Sequence, residues 1–476
     1  MTHIATRTPP RRSISWKRLI LMAVFVLVGL LLLIHSIWST QANNLFEAQF
    51  DEYRRRGEPV SLAELKSPAV PDEQNAALDL HAAAAAIRLS EEQLKFFENL
   101  NFLYYPLPDE QFTQLRELLS ANAEVVSKVQ AARTKPAIDW KLTFDSPEAV
   151  FSLPDRTPLW NLARLLTAAA LSAHHAGDEH TALQRIDDTL FLADAMAKHP
   201  TLVGYFTASG MESLSLQVLT IMAHDLQLDS PGDRQFVQQL ITRLLDETGP
   251  RHHFVWALHS ERAFQIEVIR LLASGRGEAI AKLLNNSKPP RTLYALASNV
   301  LRPLCLNNGT VVTRYTTQLA KAAAAPSWPA AKAGIPDLQK ILNSYLRYPL
   351  ASLLLPAPDL AVNRYYRHLT NRRMAAIALA IGLYAKDHNG NRPGSLKELV
   401  PAYLPAVPQD PFAPDGAPIR YLPGSANPRL YSVGENGVDD QGSELPYKGR
   451  TARYPWEQQD ATYPLIPKPQ PAEEAN

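Results

Sequence analysis

Three histidines and two carboxylates crowd around one turn in the first half of the chain, and these side chains are donor types that bind transition metals. The five residues are His174, His175, Asp178, Glu179 and His180. Their order is not the His-Glu-x-x-His pattern of zinc enzymes, and adjacent histidines on a helix point about 100° apart. The alternative interpretation is a solvated helix end, where a histidine pair is favourable near the C-terminus.

A second group of polar side chains lies in the first turns of a predicted long helix. Its members are His252, His253, His259 and Glu261. His252 and His259 share a helix face, but two turns separate them by ~10 Å, which is too far for one metal ion. Structural histidines beside Trp256 are the expected alternative. Carboxylate pairs such as Glu261 and Glu267 are common on helices, and we predict that they are surface charge.

The usual patterns of nucleophilic catalysis and phosphate binding do not occur in the sequence. It has neither a Gly-x-Ser-x-Gly elbow nor a glycine-rich phosphate loop. Cys305 is the single cysteine, which excludes an internal disulfide and a multi-cysteine zinc site. We predict that it is a small buried hydrophobic residue.

The charge balance argues against a polyanionic partner. Lysine and arginine number 48 and aspartate and glutamate number 47, which gives a formal net charge of +1. A nearly neutral chain has no overall field that attracts nucleic acid. We therefore predict that the protein does not bind nucleic acid.

A predicted transmembrane helix decides on which side of a membrane these groups lie. Residues 19–38 are apolar apart from His35 and Ser36, and a helix of this length spans ~30 Å, the thickness of a hydrocarbon core. Basic residues precede it and acidic residues follow it, which predicts a cytoplasmic N-terminus. The basic residues are Arg7, Arg11, Arg12, Lys17 and Arg18, and the acidic ones are Glu47, Asp51 and Glu52.

A cleaved signal peptide is the alternative interpretation, because Thr40-Gln41-Ala42 offers small residues to a peptidase. The apolar run is longer than the ~7 to 15 residues of such signals. Trp16 and Trp38 also bracket it like an interfacial aromatic belt. We predict an uncleaved signal anchor in the inner membrane of a Gram-negative bacterium, with residues 1–18 as a cytoplasmic tail and the bulk of the chain in the periplasm.

Residues 43–322 are predicted to form an all-helical periplasmic domain. Apolar residues recur at helical spacing through this stretch, and almost none of it alternates with period two. One of its predicted helices lies near Glu278 to Leu284. Residues 323–337 are predicted to be a linker because they contain repeated helix breakers. These breakers are Pro326, Pro329, Gly334 and Pro336.

Residues 338–448 are predicted to form a smaller α+β module, so the fold class is mainly α with a small α+β part. A long helix is expected from about Leu360 to His388, and two short strands at 419–422 and 429–433 are expected to form an antiparallel hairpin against it. The buried face of the helix is marked by Met374, Ile377, Ile381 and Tyr384. Residues 449–476 are predicted to be a flexible tail with no packed structure beyond Trp456.

A series of motifs between Met374 and Gly442 resembles the C-terminal part of the major pseudopilin of bacterial type II secretion systems. The motifs are, in order, Tyr384-Ala385-Lys386-Asp387-His388, Asn389-Gly390-Asn391-Arg392-Pro393, Ser395-Leu396-Lys397-Glu398-Leu399, Asp410-Pro411-Phe412, Arg420-Tyr421, Leu430-Tyr431-Ser432, Gly434-Glu435-Asn436-Gly437 and Asp439-Asp440. The resemblance implies a long helix packed on a small sheet. The whole arrangement is also similar to uncharacterised bacterial membrane-anchored envelope proteins.

The N-terminal helix differs from that of a pseudopilin. A pseudopilin carries a peptidase site and a glutamate near the start of its hydrophobic helix, and residues 19–38 contain neither. We therefore do not predict polymerisation into a pseudopilus.

The resemblance implies a calcium site in the loop 434–443, because pseudopilins of this kind bind calcium in the corresponding loop. Calcium takes six to eight oxygen ligands, often on a glycine-bearing turn. Asp439 and Asp440 are predicted to supply carboxylates, and Glu435 or Asn436 another oxygen. The alternative is a solvated turn in which these side chains cap backbone groups.

These observations predict a non-enzymatic membrane-anchored protein of the cell envelope. Its expected role is that of a scaffold with protein partners, with a link to secretion suggested by the C-terminal module and with calcium as the only cofactor. The alternative prediction is a periplasmic metal-dependent hydrolase that uses the histidine groups.

Overall fold

The computed structural model describes residues 15–100, 105–144, 157–228, 230–275, 291–343, 348, 350–355, 358–424, 427–449, 451–452 and 454–467. The described residues are mainly helical, with a small antiparallel sheet near the C-terminus, as the sequence predicts. Their helices are α1 (Trp16–Arg55), α2 (Ala76–Ala85), α3 (Glu91–Asn99), α4 (Asp109–Ala121), α5 (Ala123–Arg133), α6 (Thr157–His175), α7 (Glu179–Ala197), α8 (Leu202–Asp225), α9 (Pro231–Leu245), α10 (Thr248–Ala273), α11 (Arg291–Ala323), α12 (Trp328–Gly334), α13 (Leu338–Leu342), α14 (Ala351–Leu354) and α15 (Pro358–Asp387). The strands are β1 (Arg420–Leu422), β2 (Arg429–Ser432) and β3 (Ala461–Pro464).

The first helix, α1, is one uninterrupted helix of 40 residues with two different halves. Its first half is exposed and is long and apolar enough to cross a membrane. Its second half enters the body of the protein, where Phe46, Phe50 and Tyr53 are buried. The basic residues at positions 7, 11 and 12, and the predicted helix at 278–284, lie outside the described residues.

Three consecutive helices, α6, α7 and α8, form the centre of the helical body. Each of the later two begins at a side-chain cap, because Asp178 accepts from the Thr181 amide and Thr201 from the Gly204 amide. Leucine and alanine fill the faces between the helices, and the small alanines allow close packing. This core continues from α2 through α9.

The long helix α15 passes through the same core, so the predicted division at 323–337 does not separate two cores. Met374, Ile377 and Ile381 are buried in the cluster that α6 to α9 form, which confirms the predicted buried face. A Cβ at Gly382 would lie 2.8 Å from the carbonyl oxygen of Ala223 in α8. The glycine therefore permits the close approach that joins the two predicted domains.

The predicted linker at 323–337 contains helix α12, so its helix-breaking residues do not keep it free of regular structure. Trp328 is buried and packs with Tyr366 and Phe412 at ring-centroid distances of 6.2 Å. The physical reason is that Pro329 occupies the first turn of α12, where proline starts a helix instead of breaking it.

The predicted flexible tail contains the third strand of the sheet. β1 pairs with β2, as predicted, and β2 also pairs antiparallel with β3, so β2 is central. Tyr463 lies opposite Leu430, and both side chains enter the main core together with Leu465. The prediction that no packed structure follows Trp456 is therefore wrong, because a short Thr-Tyr strand between prolines buries apolar surface.

Candidate functional site

The acidic loop after β2 curls tightly around its glycines. Gly434, Gly437 and Gly442 have φ values of 62°, 69° and 75°, a left-handed conformation that favours glycine. The loop begins with a short helical turn, Gly434–Asn436. The glycine spacing in the sequence thus matches a backbone that turns back on itself.

Of the four predicted calcium ligands, two carboxylates are held by arginines. Asp439 Oδ2 accepts a hydrogen bond from Arg420 Nε at 2.7 Å, and its Oδ1 accepts one from the Tyr431 hydroxyl at 3.1 Å. Glu435 forms an ion pair with Arg367. These two carboxylates could bind a metal only by giving up their ion pairs.

The other two predicted ligands, Asn436 and Asp440, contact each other. Asn436 Nδ2 donates to Asp440 Oδ2 at 2.8 Å, and Asn436 Oδ1 accepts from the Val438 amide at 3.0 Å. The Asp440 carboxylate is held by an amide and no cation contacts it among the described residues. It is therefore the predicted ligand best placed to receive a metal ion.

The structure adds a carboxylate that sequence reasoning missed. Asp460 is fully buried, and its Oδ2 accepts hydrogen bonds from the amides of Gly442 at 2.8 Å and Ser443 at 3.2 Å. Its Oδ1 has no hydrogen-bond partner among the described residues. Burial raises the pKa of Asp460, and the charge of Asp440 raises it further. A buried carboxylate therefore lies close to a second carboxylate, although backbone N–H groups of Asp440, Gly442 and Ser443 favour its charged form.

This pair fits part of a calcium site. Asp440 and Asp460 supply carboxylates, the hard oxygen ligands that calcium prefers, while the loop directs the amides of Gly442 and Ser443 at Asp460. Within the described residues, no group of three or more His, Cys, Asp or Glu side chains could hold a metal ion. The remaining oxygens would have to come from the backbone and from water.

The histidine turn does not form a single cluster. Both ring nitrogens of His174 face carboxylates, with Nδ1 2.7 Å from Glu179 Oε2 and Nε2 3.1 Å from Asp225 Oδ1. His175 stacks on Phe112 at a centroid distance of 3.6 Å. The interpretation as a solvated helix end is wrong for His174, which is buried because α8 brings Asp225 over it.

The two other members of the predicted group have separate partners. His180 Nδ1 lies 2.7 Å from Asp233 Oδ1 at the start of α9. Asp178 accepts from the Thr181 amide as the cap of α7. The five residues therefore divide between a buried charge pair, an aromatic stack and helix caps.

The environment of His174 favours its cationic form. Burial alone would lower its pKa, but the carboxylates of Asp225 and Glu179 raise the pKa of His174 to about 9. The two nitrogens that a metal would need are thus directed at carboxylates.

We expect His174 to make stability depend on pH in the alkaline range. Its pKa is raised from 6.5 to about 9, so its contribution is complete below pH 6.5 and disappears as the pH rises through 9. The shift corresponds to roughly 3 kcal/mol. The free energy of unfolding measured from pH 6 to 10 should fall in the parent and much less in His174→Gln. The exposed His252→Gln is the control, and an equal slope in both variants would contradict the assignment.

The second histidine group is also dispersed, and one of its members was misjudged. His259 Nε2 lies 3.9 Å from Glu58 Oε2, and burial together with Arg262 lowers the pKa of His259 to about 4. Glu261 was predicted to be surface charge, but it is half-buried, and burial raises its pKa to about 7. Cys305 is partly buried against the cluster around α1, and burial raises the pKa of its thiol.

A cleft between α7, α8, α10 and α15 is a feature that the sequence did not indicate. It has a volume of about 380 Å³ and a lining of both polar and apolar residues. The polar residues include Lys198, Ser209, Glu212, His253, His368 and Arg372. The rest of the lining is apolar and includes Phe191 and Ala208, so the cleft suits a molecule with both polar and apolar parts.

At the base of the cleft, Glu212 of α8 joins a guanidinium and an imidazole of α15. Glu212 Oε2 lies 2.9 Å from His368 Nε2, and Oε1 forms an ion pair with Arg372. Burial alone would raise the pKa of Glu212, but the charges of Arg372 and His368 lower it to about 2. All three side chains are buried. We name this group the Glu212 cluster.

The Glu212 cluster also caps the C-terminus of α9 through Arg372. Arg372 donates to the carbonyl oxygens of Arg243 at 2.7 Å, Asp246 at 3.0 Å and Leu244 at 3.2 Å. These include carbonyls that a helix C-terminus leaves without a partner. The cluster therefore fixes the relative positions of three helices.

A carboxylate beside an imidazole is also the arrangement that orients a catalytic base. In the Glu212 cluster, however, the second nitrogen of His368, Nδ1, is closed to solvent and has no hydrogen-bond partner among the described residues. The geometry favours a structural role for Glu212 and His368. What the cleft could do is bind a molecule through its polar side chains.

Comparisons of the chain with family models, curated proteins and solved structures find no match. The pseudopilin resemblance stays a prediction that rests on the order of its motifs.

Proposed function

We propose that the protein is a non-enzymatic, membrane-anchored protein of the cell envelope that presents a rigid helical body to protein partners. The proposed location is the inner membrane of a Gram-negative bacterium, with the N-terminus in the cytoplasm and the body in the periplasm. The observation that carries the proposal is that α1 continues without a break from its exposed apolar half into the buried core. The body is thereby built onto the anchor.

The junction between anchor and body is tightly packed. The Arg262 guanidinium lies 3.7 Å from the ring centroid of Tyr53, and that of Arg270 lies 4.9 Å from the ring of Phe50. At Gly309 of α11, a Cβ would lie 2.7 Å from a ring carbon of Phe46. A body fixed in this way cannot turn freely about its anchor, which suits a scaffold better than a tethered enzyme that searches for substrate.

Fractionation and cross-linking of the full chain test this proposal. We expect the protein to stay with membranes after alkaline extraction, its body to be cleaved by protease added to spheroplasts, and cross-linking in membranes to recover defined protein partners. Release of the intact chain into the soluble fraction, or protection of the body in spheroplasts, would contradict the anchored topology. Absence of any cross-linked partner would contradict the scaffold role.

We also propose that calcium stiffens the C-terminal loop through Asp440 and Asp460, which would keep the sheet in shape for a partner. The support is the buried Asp460 Oδ1 that lacks a partner among the described residues. A bound cation would offset the cost of burying this charge. A link to secretion is part of the proposal and rests on the motif resemblance alone.

We expect calcium to raise the melting temperature of the full chain. We also expect Asp460→Asn to be more stable than the parent without calcium and less stable than the parent with it. Without calcium the variant should melt above the parent, because it removes a buried charge that lies close to the carboxylate of Asp440. With calcium it should melt below the parent, because the ligand is lost. Thermal unfolding of both proteins in EDTA and in millimolar calcium checks this.

The matched control is Asp415→Asn, because Asp415 is an exposed aspartate of the same module. It should respond to calcium as the parent does. A melting temperature of the parent that is the same in EDTA and in calcium would exclude the proposed site.

The alternative, a periplasmic metal-dependent hydrolase, makes a different prediction. It requires stoichiometric zinc in the purified protein, bound by the histidine groups. The pairing of His174 with Glu179 and Asp225 gives this alternative less support than the scaffold. Metal analysis of the purified full chain distinguishes the two.

A further inference from the structure

The start of α11 lies beside the apolar half of α1. His35 Nε2 of α1 is 3.1 Å from the carbonyl oxygen of Val300 in α11. Farther along both helices, Thr313 donates to Gln49 Oε1 at 3.3 Å. Because residue numbers rise together, the two helices run parallel, and the first residues of α11 point toward the membrane end of α1.

The contact between His35 and Val300 shows how far α11 reaches along the apolar half of α1. His35 precedes Trp38, the last residue of the apolar run, by three residues, which is ~4.5 Å along the helix axis. Val300 is therefore level with the last turn of the apolar half. Helix α11 begins nine residues earlier, at Arg291, so ~14 Å of helix precedes Val300 on the side of the membrane.

The side chains of α11 change from exposed to buried just after Val300. Val300 is 61% exposed and Leu301 47%, whereas Leu306, one and a half turns later, is 2% exposed. Ile34 and Ile37 of α1 are 61% and 51% exposed at the matching level. The exposed apolar surface of α1 thus continues onto α11 and ends where the body begins to cover both helices.

A basic residue marks the boundary between these regions. Arg302 donates to Asn43 Oδ1 at 3.0 Å and to the Ala273 carbonyl oxygen at 3.2 Å, both on the body side of Val300. In the sequence from 291 to 301, the single charged residue is Arg291, and Tyr294 is the one aromatic residue.

We propose that Val300 and Leu301, the exposed apolar residues of α11 beside the apolar half of α1, contact lipid in the membrane. This inference rests on the proposed membrane anchoring and extends it, since the body would hold the bilayer by a second helix that does not cross it. The partner is the lipid surface itself, chosen because the exposed face is continuous with the apolar half of α1. Two points of attachment would fix the tilt of the body.

Nitroxide labels on the full chain in vesicles of phosphatidylcholine and phosphatidylglycerol test the proposal. Cys305 is first replaced by alanine, and single labels are then placed at Val300→Cys, Leu27→Cys and Val438→Cys. Leu27 is 56% exposed in the apolar half of α1, and Val438 is 54% exposed in the C-terminal loop. The measurement is the ratio of collision rates with oxygen, which enters lipid, and with a water-soluble nickel chelate.

We expect this ratio to be several-fold higher at Val300→Cys than at Val438→Cys, and highest at Leu27→Cys. Equal ratios at positions 300 and 438, with a high ratio at 27, would overturn the inference and leave the anchor intact. A low ratio at position 27 would overturn the anchor and the inference together. Low collision rates with both reagents at position 300 would show that protein covers it, which also overturns lipid contact.

Discussion

Replacing Glu212 by alanine is expected to lower the free energy of unfolding by about 3 to 5 kcal/mol, because it leaves the buried Arg372 guanidinium and the His368 imidazole without their carboxylate. Arg372 and His368 are 4% and 6% exposed, so water cannot take over the role of Glu212. The loss should be visible in chemical denaturation followed by tryptophan fluorescence.

The matched control is Glu117→Ala, which removes an exposed glutamate from α4 and should change stability by about 0.5 kcal/mol or less. A loss below about 1 kcal/mol in Glu212→Ala would contradict the cluster, since that is the range of an exposed ion pair.

The Glu212 cluster also predicts the direction of acid sensitivity. The folded-state pKa of Glu212 is lowered from 4.5 to about 2, so its stabilising effect is present above pH 4.5 and disappears as the pH falls through 2. Unfolding measured between pH 7 and 3 should show a smaller pH dependence in Glu212→Gln than in the parent. An unchanged slope would mean that other carboxylates carry the acid response.

Replacing Phe46 by alanine is expected to lower the free energy of unfolding by about 3 to 5 kcal/mol and to loosen the body from its anchor. The Phe46 ring is fully buried, lies edge-on to Phe50 at 4.9 Å and touches α11 at Gly309. Its removal leaves a cavity at the junction of α1, α10 and α11. Denaturation of the full chain in detergent measures the loss.

Leu45→Ala is the matched control for this experiment, because Leu45 is the neighbouring residue on α1 and is 53% exposed. The Leu45→Ala variant should have little effect on the free energy of unfolding. It should not change how readily protease cleaves the chain where α1 enters the body. Equal losses in the two variants would show that α1 does not pack into the body through the face that carries Phe46.

Sequence patterns predicted the elements that depend on local or periodic signals. The apolar run of α1, the buried stripe of α15 at Met374 and Ile377, and the pairing of β1 with β2 follow from hydrophobic spacing and turn residues. The glycine positions likewise predicted the curled loop before Asp439.

The parts that sequence patterns missed depend on contacts between distant residues. Glu212 and Arg372 are 160 residues apart, and each has the local pattern of a surface charge on a helix. Asp460 and β3 lie in a proline-rich stretch whose composition is typical of a disordered tail. At Trp328, proline was interpreted as a helix breaker, although in the first turn it begins a helix.

The position of β3 has a consequence for the order in which the chain matures. A ribosome makes Tyr463 and Leu465 after every other part of the core that they cover. Until they emerge, one edge of β2 and the apolar face beneath it remain open. A chain that stops before residue 461 would therefore leave this strand edge unpaired and free to pair with another chain.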